Sequence, residues 1–256
     1  MNQHYQLNID AVYVLSVKKF KDRIQHIEKE TNRIGLNYEF IFEHDADEIN
    51  LDLDVKYFSA NPTLAKPQRS LVLKHIEAWK HCVSKRQSRV LILEDDVILH
   101  DAFVKKVNRL CQELDSISDY LVYLGGADTK VPPQYFLERS PIIANPIATT
   151  DGYITDLSAC EKRLSWLQNN IVTLPSDHLL KKIDPLLKIN QYWSTEPLIE
   201  QGSVFGLFNT TLDSNRKTKS KLRNLLMYRY KIFTRKTIPK TYYTTLKLLG
   251  LYKNAR

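Results

Sequence analysis

Residues 90–99 read Val-Leu-Ile-Leu-Glu-Asp-Asp-Val-Ile-Leu, three carboxylates set inside an otherwise apolar run. A segment this rich in Val, Ile and Leu reads as a strand buried on both faces. Burying one unpaired carboxylate is costly, and three in succession exclude one continuous core strand. The strand is therefore expected to end at Glu94–Asp96 and turn its acids toward a solvent cleft. A divalent cation can neutralise them there, and oxygen donors of this kind suit Mg²⁺ or Mn²⁺. The competing reading is a triplet that caps a helix or pairs with nearby Lys and Arg.

The chain of 256 residues is long enough for one large domain, or for a domain with an appendage. Its net charge of +8 is unevenly spread. Residues 214–256 hold 13 Lys or Arg and no Asp or Glu, which leaves 24 basic and 29 acidic residues in the rest. The expectation is a mildly acidic globular body over residues 1–213 and a basic, amphipathic helical tail over 214–256. Cys82, Cys111 and Cys160 stand far apart, without metal-type spacing, and read as reduced thiols of a cytosolic compartment. No apolar stretch approaches the roughly 20 residues of a membrane span. The segment from Met1 to Phe20 lacks the pattern of a signal peptide.

Along the chain, Ala11–Ser16 reads as a first buried strand. Phe20, Ile24, Ile27 and Ile34 then share one helical face, with Gly35 as the stop. Tyr38–Phe42 follows as a second strand, so that strand, helix and strand suggest a βαβ unit and a parallel sheet. Residues 50–66 read as a polar loop from which Tyr57 and Phe58 dock. Pro67 opens a helix with Val72, Ile76, Trp79 and Val83 at helical spacing. A helix over Asp101–Leu114 and a short strand over Tyr120–Leu124 come next. Residues 131–146 read as an aperiodic connection. A strand from Gly152, a helix over Ser158–Asn169, and segments at 175–180 and 196–206 complete the body.

The order of these motifs resembles the bacterial lipooligosaccharide glycosyltransferases of glycosyltransferase family 25. The resemblance runs from about Ala11 to Phe208. It rests on the helix with Arg23, the turn Asp45-Ala46-Asp47, His75-Ile76-Glu77-Ala78-Trp79, and Leu93-Glu94-Asp95-Asp96-Val97. Gly152-Tyr153-Ile154, Pro175-Ser176-Asp177-His178-Leu179-Leu180 and Pro197-Leu198-Ile199-Glu200-Gln201 continue it. It implies a GT-A-like fold, a single nucleotide-binding α/β domain with a mostly parallel central sheet. It also implies transfer of a hexose, galactose or else glucose, from a UDP-sugar to a lipooligosaccharide or related surface glycan. The chain departs from the pattern at Arg69, Lys74 and Asp151, which bears on the donor sugar more than on the reaction class.

In such a transfer the leaving diphosphate gains negative charge, which bound Mn²⁺ or Mg²⁺ stabilises as a Lewis acid. Asp96 is expected as the metal ligand with Asp95 second, and Glu94 as a partner for ribose or a basic side chain. The acceptor hydroxyl needs a base. Asp177 is the first candidate and Glu200 the second, Asp177 serving equally well as an N-cap of a helix from His178. Gln201, beside Glu200, is a donor-pocket candidate. Ser16 and Arg23 are candidates for uridine or phosphate, and Asp45 or Asp47 for the uracil ring. Arg23 also reads as part of a solvated face with Lys18, Lys19 and Lys21. His75 reads first as a structural residue, and Tyr153 as core. Tyr192 and Trp193 are candidates for sugar stacking.

Basic residues interleaved with Leu and Tyr in the tail suit an interfacial helix on anionic lipid. This predicts peripheral attachment to the cytoplasmic face of a bacterial inner membrane, near a glycolipid acceptor. The acidic body and the missing RNA-binding motif disfavour nucleic acid. A sugar nucleotidyltransferase would carry a glycine-rich loop after the first strand, where Val17-Lys18-Lys19-Phe20 has none. A catalytically silent protein that binds glycolipid at the membrane is the rival of a different class.

Overall fold

The computed structural model describes residues 7–125, 140–146, 149–203, 208 and 221–251. Its centre is a seven-stranded sheet with order β2-β1-β3-β7-β5-β8-β6. The strands are β1 (Ala11–Leu15), β2 (Glu39–Ile41), β3 (Arg89–Glu94), β5 (Tyr120–Tyr123), β6 (Ile142–Ala144), β7 (Gly152–Asp156) and β8 (Asn190–Ser194). β1 pairs in parallel with β2 and β3, and β5 with β8, whereas β7 and β6 run the other way. The sheet is thus mostly parallel, as the βαβ spacing predicts. A separate ribbon pairs β4 (Val97–Leu99) with β9 (Ile199–Gln201).

Both sheet faces are covered, which explains the unbroken apolar runs of β1 and β3. On one face Tyr13, Val90, Ile92, Leu121 and Tyr153 pack on helices α3 (Lys66–Ser84), α5 (Leu157–Leu167) and α6 (Ser176–Leu186). On the other, Val12, Val14, Leu91, Leu93 and Val122 pack on α1 (Lys21–Ile34) and α4 (Phe103–Leu114). Gly35 caps α1 in the left-handed conformation (φ 68°), donating its N–H to Asn32 O.

Three stretches differ from expectation, one of them β8, since no strand is expected over residues 190–194. Residues 50–66 are not all loop, because α2 (Leu51–Tyr57) forms behind Asn50, whose side chain accepts from Leu53 N. Tyr57 and Phe58 do dock and are buried. Within 131–146, Ile142–Ala144 forms the edge strand β6, and residues 131–139 lie outside the described ones. The three cysteines are free and buried.

The tail contains α7 (Lys221–Ile232), a π-helical turn (Phe233–Thr237) and α8 (Ile238–Leu248), with residues 214–220 and 252–256 outside the described ones. Leu222, Leu226, Tyr230, Phe233, Tyr242 and Leu248 are exposed along it. No described helix is long and apolar enough to cross a membrane.

The helices behind β7 are tied by a fully buried ion pair. Arg163 Nε and Nη2 donate to the two carboxylate oxygens of Asp184 (2.8 and 2.7 Å), and Nη1 donates to Thr155 Oγ1 (2.9 Å). Removing one partner of such a pair leaves a buried charge without compensation. Arg163→Met is expected to cost about 3–5 kcal/mol in urea unfolding. Arg163→Met with Asp184→Leu should recover most of that loss, and equal damage in both variants would mean that shape, not charge, governs the site.

Candidate functional site

Five of the seven strands end at the same edge of the sheet, and the reversed β6 and β7 begin there. Ser16, Asp45, Glu94–Asp96, Tyr123, Asp151 and Ser194 therefore collect along one rim, where open α/β folds bind ligands. The acidic run resolves as a turn. β3 stops at Glu94, Asp95 and Asp96 form the corner, and β4 leaves with Val97.

Asp95 is the anchor of that corner. Ser16 Oγ donates to its Oδ2 (2.7 Å) and Arg23 Nη1 to its Oδ1 (2.9 Å), with all three side chains largely buried. Burial opposes the Arg23 charge, but Asp96 and Asp95 outweigh it and hold the guanidinium above its usual pKa. Arg23 also lies beneath the Phe20 and Phe208 rings, at 5.6 and 5.5 Å. The solvated-face reading of Arg23 is thereby corrected: it points inward onto the acids. His26, one turn on, hydrogen-bonds Val97 O through Nε2 (2.8 Å) and so fixes the start of β4.

Asp96 differs from its neighbour. It is 2% exposed, lies 3.8 Å from Arg23 Nη1 through Oδ2, and its Oδ1 has no hydrogen-bond partner among the described residues. Burial raises its pKa, opposed by Arg23. Gly202 closes the other side, donating its N–H to Asp96 O (2.7 Å). A Cβ there would stand 2.6 Å from that carbonyl, so only glycine permits the approach.

Around Asp96 the charge is concentrated. Glu94, at the end of β3, is held well above the carboxylate range by burial and then by Asp96, Asp151 and Asp95. Asp151 is pushed up to about 7, first by burial, with the Tyr123 hydrogen bond opposing and Asp96 adding to the rise. Its carbonyl accepts from Glu94 N (2.8 Å), and Thr149 Oγ1 donates to its Oδ1 (3.1 Å). Burial and the nearby Asp151, Glu200 and Glu94 keep the Tyr123 hydroxyl protonated far above its usual range. Glu200, on β9 opposite Ile98, thus belongs to the same acidic cluster. Gln201 lies beside it, opposite Val97.

The other predicted residues divide. Asp177 lies in the first turn of α6, but the helix begins at Ser176 with Pro175 at its cap position, so Asp177 is not the N-cap. Its Oδ1 accepts from His178 N (2.8 Å). Ser176 and Thr150 hydroxyls bond at 2.9 Å, which fastens that turn beside Asp151. Asp45 is turned inward, where its oxygens accept from Lys18 N (3.0 Å) and from buried Lys74 Nζ (2.8 Å). It shapes the loop after β1 rather than offering an oxygen to a uracil ring. Asp47 is exposed and faces Lys19 at 3.6 Å. Trp193 is core, edge-on to Tyr123 at 5.1 Å, which removes it from sugar stacking. His75 is structural: its Nδ1 hydrogen-bonds the Tyr153 hydroxyl, which also accepts from Trp79 Nε1, each at 3.0 Å. Burial, aided by Arg163, lowers the His75 pKa to about 3.

Each Asp95 oxygen accepts a hydrogen bond, whereas Asp96 Oδ1 accepts none among the described residues, which makes Asp96 the more open of the two expected metal ligands. No cluster of three or more His, Cys, Asp or Glu arranged for a metal occurs among the described residues. Mg²⁺-type ions are ordinarily held by one or two carboxylates together with substrate phosphates and water. A buried carboxylate with one unpartnered oxygen fits that role. Sequence reasoning passed over Tyr123 and treated Asp151 as a departure. The available signal was the position of Asp151 directly ahead of a buried strand, the mirror of Glu94.

Comparisons with known proteins identify the family. The family model described as glycosyltransferase family 25 (LPS biosynthesis protein) matches residues 9–180. The chain belongs to this family. A probable inactive glycosyltransferase 25 family member 3 of Rattus norvegicus is 30% identical over 107 residues, covering 40% of this chain and 19% of that protein. Procollagen galactosyltransferase 2 of Homo sapiens is 21% identical over 174 residues, covering 61% of this chain and 28% of that protein. This family 25 chain thus spans less than a third of the curated relatives it matches. A crystal structure of a glycosyltransferase involved in glycosylation of the major capsid of PBCV-1 superposes with a TM-score of 0.39 at 11% identity, covering 86% of this chain and 99% of that one.

The raised Asp151 pKa has a consequence for stability. The folded state retains a proton between the ordinary carboxylate pKa of 3.8 and about 7 that the unfolded chain has lost. Stability therefore falls as pH rises through that window, by up to about 4 kcal/mol from this group. Asp151→Asn should remove part of the fall in thermal midpoint between those pH values. A wild-type slope unchanged in the variant would show that Asp151 titrates normally.

Proposed function

We propose that this chain transfers a hexose, galactose or glucose, from a UDP-sugar to a lipooligosaccharide or related surface glycan, with inversion at the anomeric carbon. The observation that carries the reading is Asp96, buried at the rim of a family 25 domain with one carboxylate oxygen unpartnered. Mn²⁺ or Mg²⁺ held there would stabilise the charge that develops on the departing diphosphate. Ser16 and Arg23 fix Asp95, and through it the corner that aims Asp96. Arg23 also keeps positive charge beside the acids. In this reading Glu94 and Gln201, on either side of the same corner, contact the donor's ribose or sugar.

The acceptor hydroxyl loses its proton as it attacks, and Asp177 is the base in this reading. Support comes from the Ser176–Thr150 contact, which fastens the first turn of α6 to the rim. Glu200 is the second candidate, closer to the acidic cluster through Tyr123. The exposed Leu, Tyr and Phe side chains of a tail with basic but no acidic residues support attachment to anionic lipid at the cytoplasmic face of an inner membrane. A silent glycolipid-binding protein is the second reading, favoured by the rat relative described as probably inactive.

Release of UDP from a panel of UDP-sugars, with and without Mn²⁺, tests the activity, and mass spectrometry identifies the extended acceptor. Turnover of one donor is expected, whereas UDP binding without transfer to any glycan acceptor would favour the silent reading. Asp96→Asn should abolish turnover and Mn²⁺ binding, read by the electron paramagnetic signal of the free ion, while keeping the fold. Asp177→Asn should lower kcat by about 10²–10⁴ with UDP affinity unchanged. Were Glu200→Gln to show that loss instead, the base would be Glu200. Deleting residues 216–256 should reduce recovery on vesicles containing anionic phosphatidylglycerol and spare turnover on a soluble acceptor.

A further inference from the structure

Phe208 is half-buried and stands beyond residues 9–180, the stretch that matches the family model. Its ring meets three residues that build the acidic corner. Arg23 Cζ lies 5.5 Å from the ring centroid. The His26 ring stands edge-on to it, at 5.0 Å and 68°. Gly202 lies against it, where a Cβ would come within 3.2 Å of the ring. The missing side chain thus makes room for the Asp96 carbonyl and the Phe208 ring together.

Each of these three contacts holds one residue of the corner. Arg23 Nη1 donates to Asp95 Oδ1 (2.9 Å), and His26 Nε2 hydrogen-bonds Val97 O (2.8 Å). Gly202 N donates to the carbonyl of Asp96, which lies between them (2.7 Å). Ser203, next in the chain, hydrogen-bonds the Asp96 side chain. One ring therefore bears on the side chains or backbone that fix Asp95, Asp96 and Val97 in turn.

The contact with Arg23 is more than filling of space. A guanidinium over an aromatic face is attracted by the ring quadrupole, most strongly where water is excluded. Phe20, at the cap position of α1, offers Arg23 a second ring at 5.6 Å. Two rings and two carboxylates thus surround one cation, whose side chain is only 15% exposed. Exclusion of water strengthens its attraction to Asp95 and Asp96. The Phe208 side chain has no polar atom, so whatever it contributes passes through the residues it touches.

We infer that Phe208 is a positioning residue for the Asp96 carboxylate. Its ring clamps Arg23, His26 and Gly202 together, and through them sets the corner that receives the cation and the donor diphosphate. What the corner binds rests on the glycosyltransferase reading of the rim; the clamp itself does not.

The test compares the full chain with Phe208→Leu, which keeps an apolar side chain without a ring face, and with Phe208→Tyr, which keeps the ring. Phe208→Leu should weaken Mn²⁺ binding in the presence of UDP about tenfold or more, read by the electron paramagnetic signal of the free ion. Phe208→Tyr should stay close to wild type. The clamp is read separately from the Nε–H signal of Arg23 in chain carrying ¹⁵N-labelled arginine. That proton should exchange with water about tenfold faster in Phe208→Leu than in wild type or Phe208→Tyr. A lower thermal midpoint in Phe208→Leu, with Mn²⁺ affinity and Arg23 exchange unchanged, would reduce Phe208 to packing and overturn the inference. Equal losses in the Leu and Tyr variants would overturn it as well. If wild type binds neither Mn²⁺ nor UDP, the donor reading of the rim falls, and the Arg23 exchange rates alone decide whether the clamp exists.

Discussion

Asp95 is the hinge of this structure. An apolar strand cannot carry three successive carboxylates through a core, so the chain must turn, and a turn of acids needs a counter-charge. Ser16 from the end of β1 and Arg23 from the first turns of α1 meet that need at 2.7 and 2.9 Å. Three elements are joined at one carboxylate, and each thereby acquires a defined place. With Asp95 satisfied, the backbone can send Val97 into the β4–β9 ribbon, which His26 secures. Asp96 is then left buried beside an arginine with one oxygen unpartnered. The open oxygen of Asp96 follows from the complete satisfaction of its neighbour.

The reversed strand β7 is the second device. Because it runs against β3 and β5, its first residues meet the last residues of both. Asp151 is therefore set against Glu94 and Tyr123 although some 60 residues separate the two acids in sequence. An all-parallel sheet would have put Asp151 at the far edge. Burying acids together in this way costs electrostatic stability: desolvation first, and the neighbouring carboxylates after it, raise the pKa values of Glu94, Asp96 and Asp151. Destabilised charge of this kind is what a cationic or proton-bearing ligand relieves on binding.

Much of this was legible in the sequence, where local rules and tertiary demands agree. The apolar runs of β1 and β3, the Gly35 stop, the Pro67 start and the break at Glu94 are all local signals, and all hold. The parallel arrangement of the first three strands followed from the βαβ spacing. Helix α2 was missed because its Asn50 cap and first-turn Asp52 and Asp54 resemble a polar loop in composition. β8 was missed because Asn190, Gln191 and Ser194 dilute its apolar content, while Trp193 supplies the burial. For the site, the structure shows which of the expected polar residues already have partners inside the protein. Asp45 and Ser16 look like ligand-binding groups at strand ends, yet they serve internal partners, Lys74 and Asp95. Sequence places a polar residue at an edge; only the fold says whether its partner is already in the protein.

The same distinction explains the departures from the family pattern. Lys74, buried in a helix, is unintelligible alone, because desolvation lowers its pKa and disfavours its charge. Its contacts with Asp45 Oδ1 and Glu43 O make it the buttress of the turn after β2. Arg69, one helical turn earlier, pairs with Asp54 of α2 and so joins the helix that sequence reasoning missed. Two positions that suggested altered donor recognition are therefore parts of one brace between α3 and the loops at the rim. Asp151 is the departure that remains in the acidic cluster itself. Its carboxyl titrates near neutrality between a tyrosine hydroxyl and Asp96, so the charge of the rim is itself a function of pH. Any ligand that prefers the ionised cluster must displace that proton, and its affinity must rise with pH across the window in which Asp151 ionises.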